Sequence, residues 1–234
     1  MNTKLLGLLT ATTALTGIVA TTGVANAATL SYTANTDFET TNIINSPLSI
    51  KKFDAELGIL NSVKIDFTGK IQGDAGFESR DAKPATITLD FSGLLELKLA
   101  DGPYLFNNIN PKQSYSYNVT AYDKKLDFAG TSGNTVEGLM ATQSASKTFA
   151  TSEFLDYFTG MGDVNFLFSA LADSKVTGSG NISSYVNTEA ASSVKVTYNY
   201  TKKKKVPEPT TLLGIGLVAG YGFLSQKKKS LAKV

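Results

Sequence analysis

The 234-residue chain contains no cysteine, no histidine and no tryptophan. Without cysteine no disulfide can staple the fold, so a hydrophobic core must hold it alone. Without histidine or cysteine, Ser-His-Asp triads, thiol nucleophiles and ordinary zinc sites are excluded. No calcium loop of the D-x-[DN]-x-[DN]-G type occurs, so neither a metal nor any other cofactor is expected. Asp74, Glu78 and Asp81 fall close together in one expected turn, where acids are ordinarily just solvated. Composition leaves open carboxylate-pair glycoside hydrolysis and Ser-Lys chemistry.

Charge is also scarce at the N-terminus, where Lys4 is the only charged side chain before Asp37. It precedes an apolar stretch from Leu5 to Val24 and a small-x-small element, Ala25-Asn26-Ala27. A charged start, an apolar middle and a small-residue end predict a secretory signal peptide over 1–27, handled by the Sec export machinery and cut between Ala27 and Ala28. The remaining body, 28–201, has 174 residues, enough for one domain with a real core. It holds 13 of the 22 basic residues and 19 of the 20 acidic ones, a net charge of −6. The slight basicity of the whole chain therefore belongs to its ends. An acidic body argues against nucleic-acid binding, which needs a basic face to neutralise phosphates.

The C-terminal segment has three parts. Lys202–Lys205 form a basic linker that leads into Val206-Pro207-Glu208-Pro209. An apolar run follows over 210–224, and the chain closes with Lys227, Lys228, Lys229 and Lys233. As a helix the run would span about 22 Å, short of a hydrocarbon core of roughly 30 Å; flanking residues and local thinning can close the gap. This arrangement resembles the PEP-CTERM sorting signal of bacterial surface proteins. The resemblance implies transient anchoring in the cytoplasmic membrane through 210–224, with Lys227 to Lys233 as a basic cytoplasmic tail. It also implies processing at Val206–Pro209 by an exosortase-like membrane protease, and an association with exopolysaccharide or biofilm.

The body reads as β throughout. Val63, Ile65, Phe67 and Ile71 alternate with Lys64, Asp66, Thr68 and Lys70, which puts one face on a core and one in water. Ala85 to Phe91 repeats the pattern, and after Gly93 it resumes with Leu95, Leu97 and Leu99, so Gly93 is read as a bend inside one long strand. Tyr115, Tyr117, Val119 and Ala121 predict another strand, and Val194 to Tyr200 the last. Turns are expected at Gly73–Gly76, Asp101–Pro103 and Gly130–Asn134. A single helical turn is expected at 152–158, capped by Ser152, and polar edge strands or a long loop over 175–193. The period-two tyrosines are read as cross-strand packing rather than as sugar-stacking platforms. The fold class expected is all-β, an antiparallel two-sheet sandwich of jelly-roll type, flanked by a signal-peptide helix and a C-terminal transmembrane helix.

Lys52-Phe53-Asp54-Ala55-Glu56-Leu57-Gly58-Ile59-Leu60-Asn61-Ser62-Val63 resembles the opening of the choice-of-anchor E domain. Phe158–Val164 and Val194–Thr201 are similar to its later segments, so the likeness covers scattered patches of 46–201. That family pairs a secreted β-rich domain with differing surface anchors, which implies location and architecture but no chemistry. The function expected is therefore that of a non-catalytic exported surface or matrix protein. A carbohydrate-binding module is the first alternative, and a two-carboxylate glycoside hydrolase the second.

Overall fold

Alternation with period two builds this molecule. The computed structural model describes residues 27–178 and 180–203. Among them run eleven strands and one short helix: β1 (Ala27–Asn35), β2 (Glu39–Thr40), β3 (Ile43–Lys51), β4 (Gly58–Ser79), β5 (Ala85–Leu99), β6 (Tyr104–Ile109), β7 (Lys112–Val119), β8 (Gly133–Phe149), α1 (Ser152–Phe158), β9 (Asp163–Ala172), β10 (Lys175–Thr177) and β11 (Ile182–Lys202). The strands form two antiparallel sheets. One is ordered β1-β11-β4-β8, with β2 continuing the β1 flank of β11. In the other, β3 pairs with β9 and β9 with β5; β10 continues the β9 flank of β5, while β6 and β7 lie in succession on its opposite flank.

The sheets share one apolar cluster. Val63, Ile65, Phe67 and Ile71 of β4 are fully buried, as the alternation predicts, and so are Leu89, Phe91, Leu95 and Leu97 of β5 and Phe166 and Phe168 of β9. Phe67 bridges the layers: its ring stacks on Phe106 at 5.5 Å and tilts against Phe168 at 6.2 Å. Tyr198 is fully buried and its hydroxyl donates to the Lys51 carbonyl at 2.7 Å. Burial pushes that phenol well above its ordinary pKa. Tyr117 packs on Phe77 at 5.1 Å and Tyr200 on Phe53 at 5.0 Å, so these tyrosines are packing residues, as expected.

β5 is one strand that runs through Gly93. Its partners break at the same level, at Asn110-Pro111 on one flank and Asp173-Ser174 on the other. The buried Ser92 patches the break. Its amide donates to the Ser174 hydroxyl at 2.9 Å, and its own hydroxyl donates to the Asp173 carbonyl at 2.7 Å.

Several local expectations need correction. Gly73–Gly76 is not a turn but an interior stretch of the 22-residue β4. A side chain at 73 would overlap the Asn187 carbonyl of β11, and one at 76 would overlap the Tyr185 ring, so these glycines serve close approach rather than reversal. The segment 175–193 holds the polar edge strands expected there and no long loop. β10 pairs only with β5, and the first half of β11 pairs with β4 and meets β2 only at Glu189 and Ala190, but that half runs without a break into the closing strand between β1 and β4. Its core-facing side chains there are small or polar (Thr188, Ala190, Ser192), which is why apolar periodicity misses it. The strand expected through Ala121 ends at Val119, and Gly133-Asn134 opens β8 instead of closing a turn. Helix α1 is present, but its N-cap is Thr151, with no side-chain cap bond, rather than Ser152.

Among the described residues no helix is long and apolar enough to cross a membrane. The helices expected at 1–27 and 210–224 lie outside the described residues, save for Ala27. Both ends of the described chain leave from one pole of the first sheet, where Ala27 pairs with Thr201 and Gly58 with Lys202. The opposite pole is reached about 70 Å away along β4 at strand geometry.

Candidate functional site

A concavity forms where the pairing of β4 with β8 is interrupted. Gly73 pairs with Leu139 and Ala75 with Val136, so Asp74 on one strand faces the extra pair Glu137-Gly138 on the other. Gly138 has φ +67°, a conformation that costs glycine little, and it lets β8 bulge away. On the other flank β11 runs unbroken, setting Thr188 beside Gly73 and Asn187 beside Asp74. Beyond β11 the chain leaves β2 and turns towards β3. The backbone N–H and the hydroxyl of Thr41 both donate to the Thr188 carbonyl at 3.0 Å, and the Ala172 N–H donates to the Asn42 side-chain oxygen at 3.1 Å. These contacts tie the turn to the end of β9 and close one wall.

The result is an open cleft of about 820 Å³, within the ~300–1,000 Å³ range of small-ligand sites. Its lining is rich in oxygen. Asp74, Glu137, Glu189, Asn42, Gln72, Asn187, Thr40, Thr41 and Thr188 border it; strand alternation turns Thr188 to the core face and Gln72, Asp74, Asn187 and Glu189 to the outer one. Two of the acids are oriented by neighbouring strands: Gln72 Nε2 donates to Glu189 Oε2 at 2.8 Å, and Asn187 Nδ2 donates to Asp74 Oδ2 at 3.0 Å. Thr188 is only 4% exposed and its hydroxyl has no partner. A buried hydroxyl left unsatisfied is costly to the fold. The apolar contribution is small, chiefly the exposed Met140 beside the buried Leu139. No lysine, arginine or aromatic ring is among the lining residues. Such a surface can accept hydrogen bonds from a donor-rich polar ligand.

The structure separates the three acids that the sequence places in one turn. Asp74 joins the cleft, whereas Glu78 points elsewhere and is fully buried, with neither carboxylate oxygen hydrogen-bonded. Its carboxylate lies against Gly133, where a side chain would collide with Oε2. Asp81 accepts the Asn181 N–H at 3.0 Å. Among the described residues no three acids converge to hold a metal. Ala27 opens β1 and Ala28 is buried against the core, paired with Tyr200. Ala25, Val206, Pro207, Glu208, Pro209, Lys227, Lys228, Lys229 and Lys233 lie outside the described residues.

Sequence reasoning did not find Gln72, Glu137, Asn187, Thr188 or Glu189. They lie on three strands that only the fold brings together, and two of those strands read as turn or loop. A usable signal was Glu137-Gly138, a charged residue and a glycine interrupting an otherwise strand-like segment.

No family model matches the chain, and no curated protein matches it. Among solved structures it is similar to the VP2 subviral particle of infectious bursal disease virus, at 12% identity and a TM-score of 0.18, over 75% of this chain and 38% of that one. The T13 particle of the same virus gives 12% identity and 0.18 over 78% and 41%. The chain thus spans about two fifths of the length of these structures. Likeness at this level carries no argument about fold or function.

Proposed function

We propose that the protein is a non-catalytic exported bacterial surface or matrix protein. A jelly-roll body is secreted through the Sec machinery, held in the cytoplasmic membrane by 210–224, and processed at Val206–Pro209 by an exosortase-like protease. The observation that carries this reading is the three-part tail: a Pro-Glu-Pro element, a short apolar run and a lysine end, opposite a secretory leader. The jelly-roll reading is supported by the nesting of strand pairs: β1 with β11, β3 with β9, β4 with β8, and β5 with β6 and β7. That is the order a long hairpin acquires when rolled into two sheets. The exit of both ends from one pole supports the anchoring. The cleft stands about 45–50 Å from that pole along β4 at strand geometry.

Replacing Pro207, Glu208 and Pro209 together with alanine tests the processing. The expected outcome in the native host is accumulation of unprocessed protein in the membrane fraction and at least a tenfold loss of released protein, read by quantitative immunoblotting. Unchanged release would overturn the sorting role of the motif. A second reading, that the body is a carbohydrate-binding module, is favoured by the open cleft bordered by polar residues of β2, β4, β8 and β11.

A further inference from the structure

We propose that the pole at which the described chain begins and ends rests on the surface of a zwitterionic lipid bilayer, with Leu57, Ile59 and Met161 dipped into its headgroup layer. The inference rests on the reading that 210–224 is held in the membrane, and adds where the folded body then lies. Three segments meet at this pole. Leu57 is 43% exposed; its N–H donates to the Asp54 carbonyl at 3.1 Å, and its own carbonyl accepts the Lys203 N–H at 3.4 Å. Ile59, 67% exposed, pairs with Thr201 on the same two strands. Met161 is 89% exposed at the tip of the loop between α1 and β9. That loop is pinned on both sides of its tip: the Gly160 N–H donates to the Phe53 carbonyl and the Lys52 N–H to the Gly162 carbonyl, each at 3.0 Å. Gly160 and Gly162 adopt φ +125° and +86°, and nothing lies within 4 Å of a side chain at either. The backbone therefore holds the methionine outward, with open space on both sides.

Single exposed apolar side chains are ordinary; what sets these apart is their place beside Lys203. In the sequence only 204–209 separate that residue from the apolar run. The chain from Lys203 to Thr210 can reach no further than about 25 Å, against a strand length of about 70 Å for β4. With the run in a bilayer, this pole is tethered close to the lipid surface, where even a weak contact is favoured by its high effective concentration. Apolar tips gain by leaving water for the interfacial layer. Tyr157 and Tyr104 are exposed at the same pole, joined by the turn at Gly102, where a side chain would lie 3.3 Å from the Tyr157 ring. Such amphipathic rings settle at headgroup level. Charge does not carry the contact: the exposed Glu56, Glu153, Asp156 and Asp163 offset the exposed Lys51, Lys202 and Lys203, which favours a zwitterionic surface over an anionic one.

The chain has no cysteine, so a single introduced one carries a fluorophore at one site only. Full-length Met161→Cys, labelled with bimane, is reconstituted in vesicles of phosphatidylcholine and phosphatidylethanolamine that bear a nitroxide high on the acyl chain. Met140→Cys is the reference, exposed and about 45 Å from the pole along β4 at strand geometry. The expected result is flotation of the protein with the vesicles and quenching about threefold stronger at 161 than at 140, unchanged by salt. Adding Leu57→Glu and Ile59→Glu to the labelled protein is expected to remove most of that difference and to leave the melting temperature unchanged, because both side chains are exposed. Flotation with equal quenching at the two sites would overturn the docking and leave the anchoring intact. Failure to float would overturn both. Quenching that requires phosphatidylglycerol and fades in salt would make the contact electrostatic, and quenching indifferent to the Leu57/Ile59 variant would place it elsewhere; either result overturns the proposal.

Discussion

Phe67→Ala is expected to lower the unfolding free energy by about 3–5 kcal/mol, the usual cost of removing a buried ring from a packed core. Phe67 is fully buried on β4, and its ring meets Phe106 and Phe168, both of which belong to the other sheet. The alanine variant loses the apolar area of the ring and leaves a void that the two sheets cannot collapse without shifting their whole faces. The cavity also removes two aromatic contacts that add to area burial. In a domain of this size such a loss lowers the melting temperature by about 2–4 °C per kcal/mol, so a drop near 10 °C is expected. Chemical denaturation of the full-length protein and its variant measures the difference. A loss below about 1 kcal/mol, the scale of ordinary surface substitutions, would mean that the sheets are not joined through this ring.

Gly73→Ala is expected to cost about 3 kcal/mol or more, at the upper end of the range for overpacking. The added methyl would overlap the backbone carbonyl of Asn187 on β11, an atom fixed by the pairing of two long strands and unable to swing aside like a side-chain tip. Relief requires β4 and β11 to separate at this point. Gly138→Ala makes the informative comparison. Nothing lies within 4 Å of a side chain there, but its φ of +67° is strained for any residue with a Cβ. That strain costs about 1–2 kcal/mol. Thermal melting of the two variants side by side should rank Gly73→Ala as the more damaging. The reverse order would show that the close approach of β11 at Gly73 is not a constraint on the fold.

The fold was legible where one face of a strand is large and apolar. Val63 to Ile71 and Leu95 to Leu99 show the period plainly, and one long strand was readable across Gly93 because the alternation resumes after it. Legibility failed where inward positions are small. β11 turns Thr188, Ala190 and Ser192 to the core before its apolar half begins at Val194, so its first half was readable as a polar edge strand but not as one strand with the closing one. Glycines in Gly73–Gly76 imitate a turn because reversal and close packing select the same residue. The cleft was illegible for a related reason. Its walls come from β4, β8 and β11, which the chain reaches far apart in sequence, and no motif joins them. The tail, by contrast, is a linear signal whose parts are adjacent in sequence. Its reading depends on no tertiary contact.

Intact-mass spectrometry of the mature protein, taken from membrane and extracellular fractions of the native host, tests the sorting most directly. A chain that begins at Ala28 and ends close to Pro209, recovered outside the membrane, is the expected result. A chain that ends at Val234 and is confined to membranes would contradict it and leave the tail as a plain anchor.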